Sequence, residues 1–184
     1  IERIGAVART ARRDFDWEIH GERWEWRSAR RTLADLPRPA LAGATQFGNA
    51  ATAIAALDAS TLAVSREAVA QGLGQVRLQG RFQIVPGQPA IVLDVAHNPQ
   101  AVATLALNLD QMGFFPRTHA VFGAMRDKDL EAMLCRVAPL VDGWHFCDLP
   151  TPRAASALEL RELHARLVAQ GRCRGPGPVT VACH

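Results

Sequence analysis

The chain has 184 residues and no uninterrupted apolar run of about 18 or more, the length a helix needs to cross a bilayer. No membrane span is therefore expected. It has no Cys-x-x-Cys pair: Cys135, Cys147, Cys173 and Cys183 stand apart, without zinc-like spacing to histidine. That pattern predicts four reduced thiols in a cytoplasmic protein. Its net charge of +3 is small and scattered, whereas nucleic-acid recognition needs a clustered basic face, so that partner class is set aside. Among 21 basic residues only Lys128 is a lysine. Its compact ammonium, in Asp127-Lys128-Asp129, is either retained for use or a chance survivor at the surface. A GxxxxGK[ST] phosphate-cradling loop is absent, as are internal repeats. Ile1-Glu2-Arg3-Ile4 shows neither a signal-peptide pattern nor a starting Met, so the chain is expected to be an internal piece of a longer protein.

The apolar fraction of 48% is ordinary for a globular protein. Around His20-Gly21-Glu22, the bulky residues Phe15, Trp17, Ile19, Trp24 and Trp26 predict a hairpin whose tryptophans pack into a core or sheet face. Leu36-Pro37-Arg38-Pro39 reads as an irregular connector. Thr45–Leu57, rich in alanine, predicts a buried helix with Gln46 and Asn49 on one face. Ser65 is placed to cap a second helix that runs to about Leu73. Gly72, Gly74 and Gly80 then punctuate the chain, and a domain boundary is expected near residue 78.

Beyond it, strands are expected at Arg81–Val85, Ala90–Val95, His119–Phe122, Trp144–Cys147 and Val179–Ala182. Helices are expected at Gln100–Met112, Asp129–Val137 and Ala157–Gln170, the last with Leu158, Leu160, Leu163 and Leu167 as its apolar stripe. Strands alternating with helices imply an α/β, Rossmann-like, mostly parallel and doubly wound sheet. Ile91–Val95 reads as a buried strand that delivers Asp94 and His97 to a helix start. Asn98 supplies the N-cap and Pro99 the first helical position. Ligands of open α/β sheets bind outside the carboxyl ends of the strands.

Each candidate residue has two readings. Asp94 either accepts bonds from a ribose diol or caps its own turn. His97 is an active-site contact or a loop histidine. Arg81, after Gly80, either neutralises a phosphate through two parallel bonds or is one more surface arginine. Asn49 either meets an adenine edge or is a buried, satisfied polar residue.

Together, Gln46-Phe47-Gly48-Asn49-Ala50-Ala51-Thr52-Ala53, Gly80-Arg81-Phe82-Gln83, Asp94-Val95-Ala96-His97-Asn98-Pro99 and Asp127-Lys128-Asp129 resemble the folylpolyglutamate synthase and dihydrofolate synthase family of Mur-type, ATP-dependent ligases. The resemblance extends from Asp14-Phe15 to Pro152-Arg153. It implies that residues 1–77 are the C-terminal part, hairpin and helices, of a central ATP-binding domain. Residues 78–184 would be a Mur-ligase-type C-terminal domain that stops before its last helix and strand.

The roles it implies are Asn49 on adenine, Asp94 on ribose, Arg81 on the ATP phosphates with His97 in the same cleft, and Lys128 receiving the incoming glutamate. Arg81 and His97 are then the catalytic residues. The implied reaction phosphorylates a folate or dihydropteroate carboxylate with ATP, and the acyl phosphate is then attacked by the amine of L-glutamate. ATP and Mg2+ are the implied cofactors, with the phosphate loop and the magnesium ligands in an N-terminal stretch outside these residues. The complete enzyme is expected to be a cytoplasmic monomer with no nucleic-acid or membrane partner. The 184 residues alone are expected to be inactive, and residues 1–77 alone to leave an apolar patch that favours association. Two competing readings are a dinucleotide-binding, dehydrogenase-like domain and a non-catalytic nucleotide-binding module. The first needs a GxGxxG turn where this chain has His97-Asn98-Pro99. The intact Asn49, Arg81 and Asp94 argue against the second.

Overall fold

A computed structural model describes residues 5–43, 45–113, 115–174 and 179–182. The chain divides into two compact units, 1–93 and 94–184.

The first unit begins with three antiparallel strands in sequential order, β1 (Phe15–His20), β2 (Arg23–Ser28) and β3 (Thr32–Pro37). Gly21 takes a φ of 63° in the tight β1–β2 turn, where a side chain would be strained. Trp24 and Trp26 are fully buried, and their indole N–H groups donate to Pro37 O (2.8 Å) and Ala51 O (3.1 Å). The tryptophans are core, as expected.

β3 replaces the connector expected at Leu36–Pro37. Trp24 pairs with Leu36 and Trp26 with Leu33, so two residues of β3 oppose Glu25 alone. Asp35, with φ 55°, absorbs this bulge. Leu33 and Leu36 therefore face one core while standing three apart, a spacing that conceals a strand from a search for alternation. Pro37 ends the strand, where its missing N–H is tolerated.

α1 (Gln46–Ala59) lays Ala50, Ala51, Ile54 and Ala55 against this core. It is not the buried helix expected, because Asn49, Thr52, Ala53 and Ala56 form an exposed face. At its C-terminal end Asp58 pairs with Arg31 (3.2 Å) and accepts from Ser28 Oγ (3.1 Å). α2 (Arg66–Gln75) starts at the expected cap, with Ser65 Oγ accepting from Ala68 N (3.1 Å).

β4 (Gln83–Val85) and β5 (Ile91–Leu93) form an antiparallel ribbon. The expectation that Ile91–Val95 is buried fails: Ile91, Leu93 and Val95 are 49%, 44% and 51% exposed. Among the described strands β5 pairs with β4 alone, and a two-stranded ribbon has no second layer to cover it.

The second unit is α/β with a parallel sheet in the order β6 (His119–Phe122), β7 (Gly143–Cys147), β8 (Val179–Ala182). Its described helices are α3 (Pro99–Gln111), α4 (Leu130–Val137) and α5 (Ala157–Ala169), with a 3-10 turn at Ala138–Leu140. Asp129 caps α4 by accepting from Ala132 N (3.1 Å). Ser156 and Glu159 form a reciprocal capping box on α5. Arg126 and the Ser156 amide hold the Glu159 carboxyl down at about 2.

One sheet face packs Trp144 and Phe146 against Met133, Leu134, Leu160 and Leu167, while Val121 on the opposite face is 77% exposed. The α5 stripe differs from expectation at Leu158, which is 45% exposed. The buried residues are Ala157, Leu160, Leu163, His164 and Leu167, whose spacing follows the 3.6-residue period that Leu158 breaks. Among the described residues no helix is long and apolar enough to cross a membrane.

Candidate functional site

The segment after β5 is a chain of local bonds. Asp94 is half-buried, and its Oδ1 accepts from Ala96 N (2.7 Å). His97 has an exposed ring whose Nδ1 is 3.1 Å from Val95 O. Asn98 is extended at φ −149°, ψ 163°, and its side chain accepts from Ala101 N (2.8 Å) to start α3, with Pro99 in the first turn. The turn-capping geometry of Asp94 is therefore present.

Asn49 is exposed on the first turn of α1, and its Nδ2 donates to Gln46 Oε1 (3.2 Å). The two share a face as expected, but the alternative of a buried, satisfied asparagine does not hold. Arg81 is exposed between Gly80 (φ 66°) and Phe82 (φ 44°, 5% exposed). A left-handed phenylalanine is uncommon and costs energy, and burial of its ring anchors the bend that displays Arg81. Among the described residues Arg81 has no ion-pair partner.

Lys128 is half-buried in the loop between the carboxyl end of β6 and α4. Its Nζ lies 3.3 Å from Asp127 Oδ2, and Arg153 Nη2 reaches both Asp127 oxygens at 3.2 Å. Loss of water around Asp127 pushes its pKa up, but bonds from Lys128 and Arg153 outweigh this and hold it below the usual carboxylate value. The loop is tied down at Arg126 N→Arg153 O (2.9 Å) and Ala155 N→Ala124 O (3.0 Å). Arg153 was not singled out as a site residue by the sequence. It stands 26 positions from Asp127, and only the return of the chain after β7 brings it there.

Asn49 and Arg81 belong to the first unit, and Asp94, His97 and Lys128 to the second. Two open hollows, one beside Arg31 and Asp58 and one beside Arg126 and Glu162, are lined by none of the five. Among the described residues no three His, Cys, Asp or Glu side chains converge as a metal site.

The sequence is similar to the dihydrofolate synthase/folylpolyglutamate synthase of Escherichia coli K12, with 37% identity over 158 residues, covering 86% of this chain and 36% of the relative. The Bacillus subtilis counterpart is 33% identical over 144 residues, covering 76% and 33%. The chain thus spans about a third of the length of these relatives. An E. coli FolC structure in complex with ADP superposes with a TM-score of 0.78 at 32% identity, covering 97% of this chain and 45% of that one. The profile of the family described as "Mur ligase, glutamate ligase domain" matches residues 80–175 of the 184. The chain belongs to the Mur ligase family.

Proposed function

We propose that this chain is part of an ATP-dependent ligase that joins L-glutamate to a folate or dihydropteroate carboxylate through an acyl phosphate. Its similarity over 158 residues to the E. coli dihydrofolate synthase/folylpolyglutamate synthase carries this reading. A relative solved with Mn, AMPPNP and L-glutamate bound supports the choice of nucleotide, divalent metal and amine. In this reading the domains divide near residue 78, just before the family match begins at residue 80.

Asn49 contacts the adenine, Asp94 the ribose and Arg81 the phosphates, with His97 beside them. A carboxylate is a poor electrophile until phosphorylation makes one of its oxygens a good leaving group. Phosphoryl transfer depends on positioning and charge neutralisation more than on covalent help from the protein. Arg81, exposed and without a carboxylate partner among the described residues, has its guanidinium available for such neutralisation. Lys128 receives the glutamate; Asp127 and Arg153 hold its loop at the carboxyl end of β6. Magnesium is assigned in this reading to residues of an N-terminal stretch outside these 184. The complete protein is a cytoplasmic monomer in this reading, and these 184 residues alone are inactive.

ADP release dependent on folate and glutamate tests the proposal. The complete protein should release ADP and the 184-residue chain should not. Release by the short chain would overturn its assigned inactivity, and none from the complete protein would overturn the ligase reading. In the complete protein, Asp94→Ala should raise KM for ATP about ten- to hundred-fold, since hydrogen bonds to a charged group contribute roughly 1.5–3 kcal/mol each. An unchanged KM removes Asp94 from the ribose. Arg81→Ala should lower kcat, and normal turnover would refute its role.

A further inference from the structure

Three consecutive residues after α5 meet three positions spaced by four along α4 and the 3-10 turn that follows it. Arg172 Nη1 lies 2.7 Å from Glu131 Oε2. Cys173 Sγ lies 2.8 Å from Cys135 Sγ. Arg174 Nη1 donates to Pro139 O at 3.2 Å. Positions 131, 135 and 139 form one stripe at i, i+4 spacing. The far side of the clasp is equally fixed: the amides of Arg172 and Cys173 both donate to Leu167 O, at 2.9 and 3.3 Å. Both sulfurs are thus carried on backbone held from two directions. The distance between them is shorter than an ordinary non-bonded contact, and a covalent bond requires them to close by only about 0.8 Å, to roughly 2.05 Å.

Their environments differ. Cys173 is 8% exposed and belongs to the apolar core of the second unit, whereas Cys135 is half-buried at its margin. We propose that Cys135 and Cys173 are an oxidisable dithiol that a low-molecular-weight disulfide converts into an intramolecular bridge between α4 and the turn after α5. This site is independent of the ligase reading. The sequence could not indicate it, because the two cysteines stand 38 positions apart with no Cys-x-x-Cys spacing.

The chemistry is two thiol–disulfide exchanges. Cys135, the more accessible sulfur, loses its proton and attacks one sulfur of the reagent. The reagent's S–S bond breaks, and one small thiolate leaves. Cys173 then loses its proton and attacks Cys135 Sγ, expelling the second small thiolate and forming the protein disulfide. The two protons from the protein end on the two small thiols, and two electrons pass from the protein sulfurs to the reagent. Burial, then the hydrogen bond and charge of Cys135, push the Cys173 thiol up to about 12, so the two sulfurs do not ionise together. Capping Cys135 in the first exchange removes its charge from beside Cys173. The Arg172 guanidinium remains there to favour the second thiolate.

The test uses the reduced 184-residue chain and glutathione disulfide in mildly alkaline buffer. The expected product has a mass lower by two hydrogens, carries no glutathione, and yields a non-reduced peptide joining Cys135 to Cys173. Its Tm should rise by several degrees and return on adding dithiothreitol, because a cross-link restricts the unfolded chain. Cys147→Ser with Cys183→Ser should leave the reaction intact, and Cys173→Ser should stop it at glutathione held on Cys135. Stable glutathione on Cys135 in the unsubstituted chain overturns the proposal, as does a bridge through Cys147 or Cys183. The peptide map of the unsubstituted chain decides the matter even if a serine variant fails to fold.

Discussion

In the first unit, large buried side chains are tied by directional bonds, Trp24 to Pro37 O, Trp26 to Ala51 O and Ser28 to Asp58, and Asp58 also pairs as an ion with Arg31. In the second, the core around Trp144, Phe146, Leu160 and Leu167 is almost wholly apolar. Its buried polar side chains are Asn108 and His164, and His164 Nε2 has no hydrogen-bond partner among the described residues. The difference is one of failure mode. A directional bond fixes how α1 lies on its sheet, but losing either partner strands a buried polar group, which costs more than the bond contributes net. The second core rests mainly on apolar contacts, and among the described residues its weak point is the titratable ring of His164.

Trp26→Ala should produce the largest loss, about 3–5 kcal/mol, because it removes a large buried ring together with the bond to Ala51 O. Amide exchange should speed up through residues 15–75 while β6–β8 stay protected. Equal acceleration in both units would mean that the two cores are not separate. Asp58→Ala should cost about 2–3 kcal/mol, since it leaves Arg31 half-buried without its counter-ion. Asp58→Asn, which can still accept from Ser28, should cost less, and urea unfolding of the two variants measures the gap. If both lose the same amount, the ion pair outweighs the serine bond.

The smallest effect is the titration of His164, whose burial lowers its pKa. Above about pH 6.5 the ring is neutral both folded and unfolded, so no proton penalty exists. Below that, the unfolded chain takes up a proton that the folded ring resists, and stability falls as pH drops toward the folded pKa. Thermal melts from pH 7.5 to 5.5 should show this decline, and His164→Gln should flatten it. A decline that persists unchanged in the variant assigns it to other groups.

The helices of the second unit, and β6 to the residue, were legible because their caps and periodicity are local: Asn98, Asp129 and Ser156 each bond an amide three residues on. β3 was not, because a bulge places Leu33 and Leu36 on one face and defeats a search for alternation. Of the candidate site, the turn from Asp94 to Pro99 could be read in advance, since the bonds of Ala96 to Asp94, His97 to Val95 and Ala101 to Asn98 join residues two or three apart. Asp127's clamp on Lys128 was only half legible, because its second cation, Arg153, arrives from a distant segment.

By itself the sequence determined the α/β class, most helix starts, and the family, since these rest on short-range patterns and motif order. Only tertiary structure decided which faces are buried. It left Ile91 and Leu93 exposed, turned Leu158 outward and buried His164. It also brought Cys135 to Cys173 and Arg153 to Asp127. Such contacts depend on how distant segments return to one another, and residue spacing along the chain carries no record of that return.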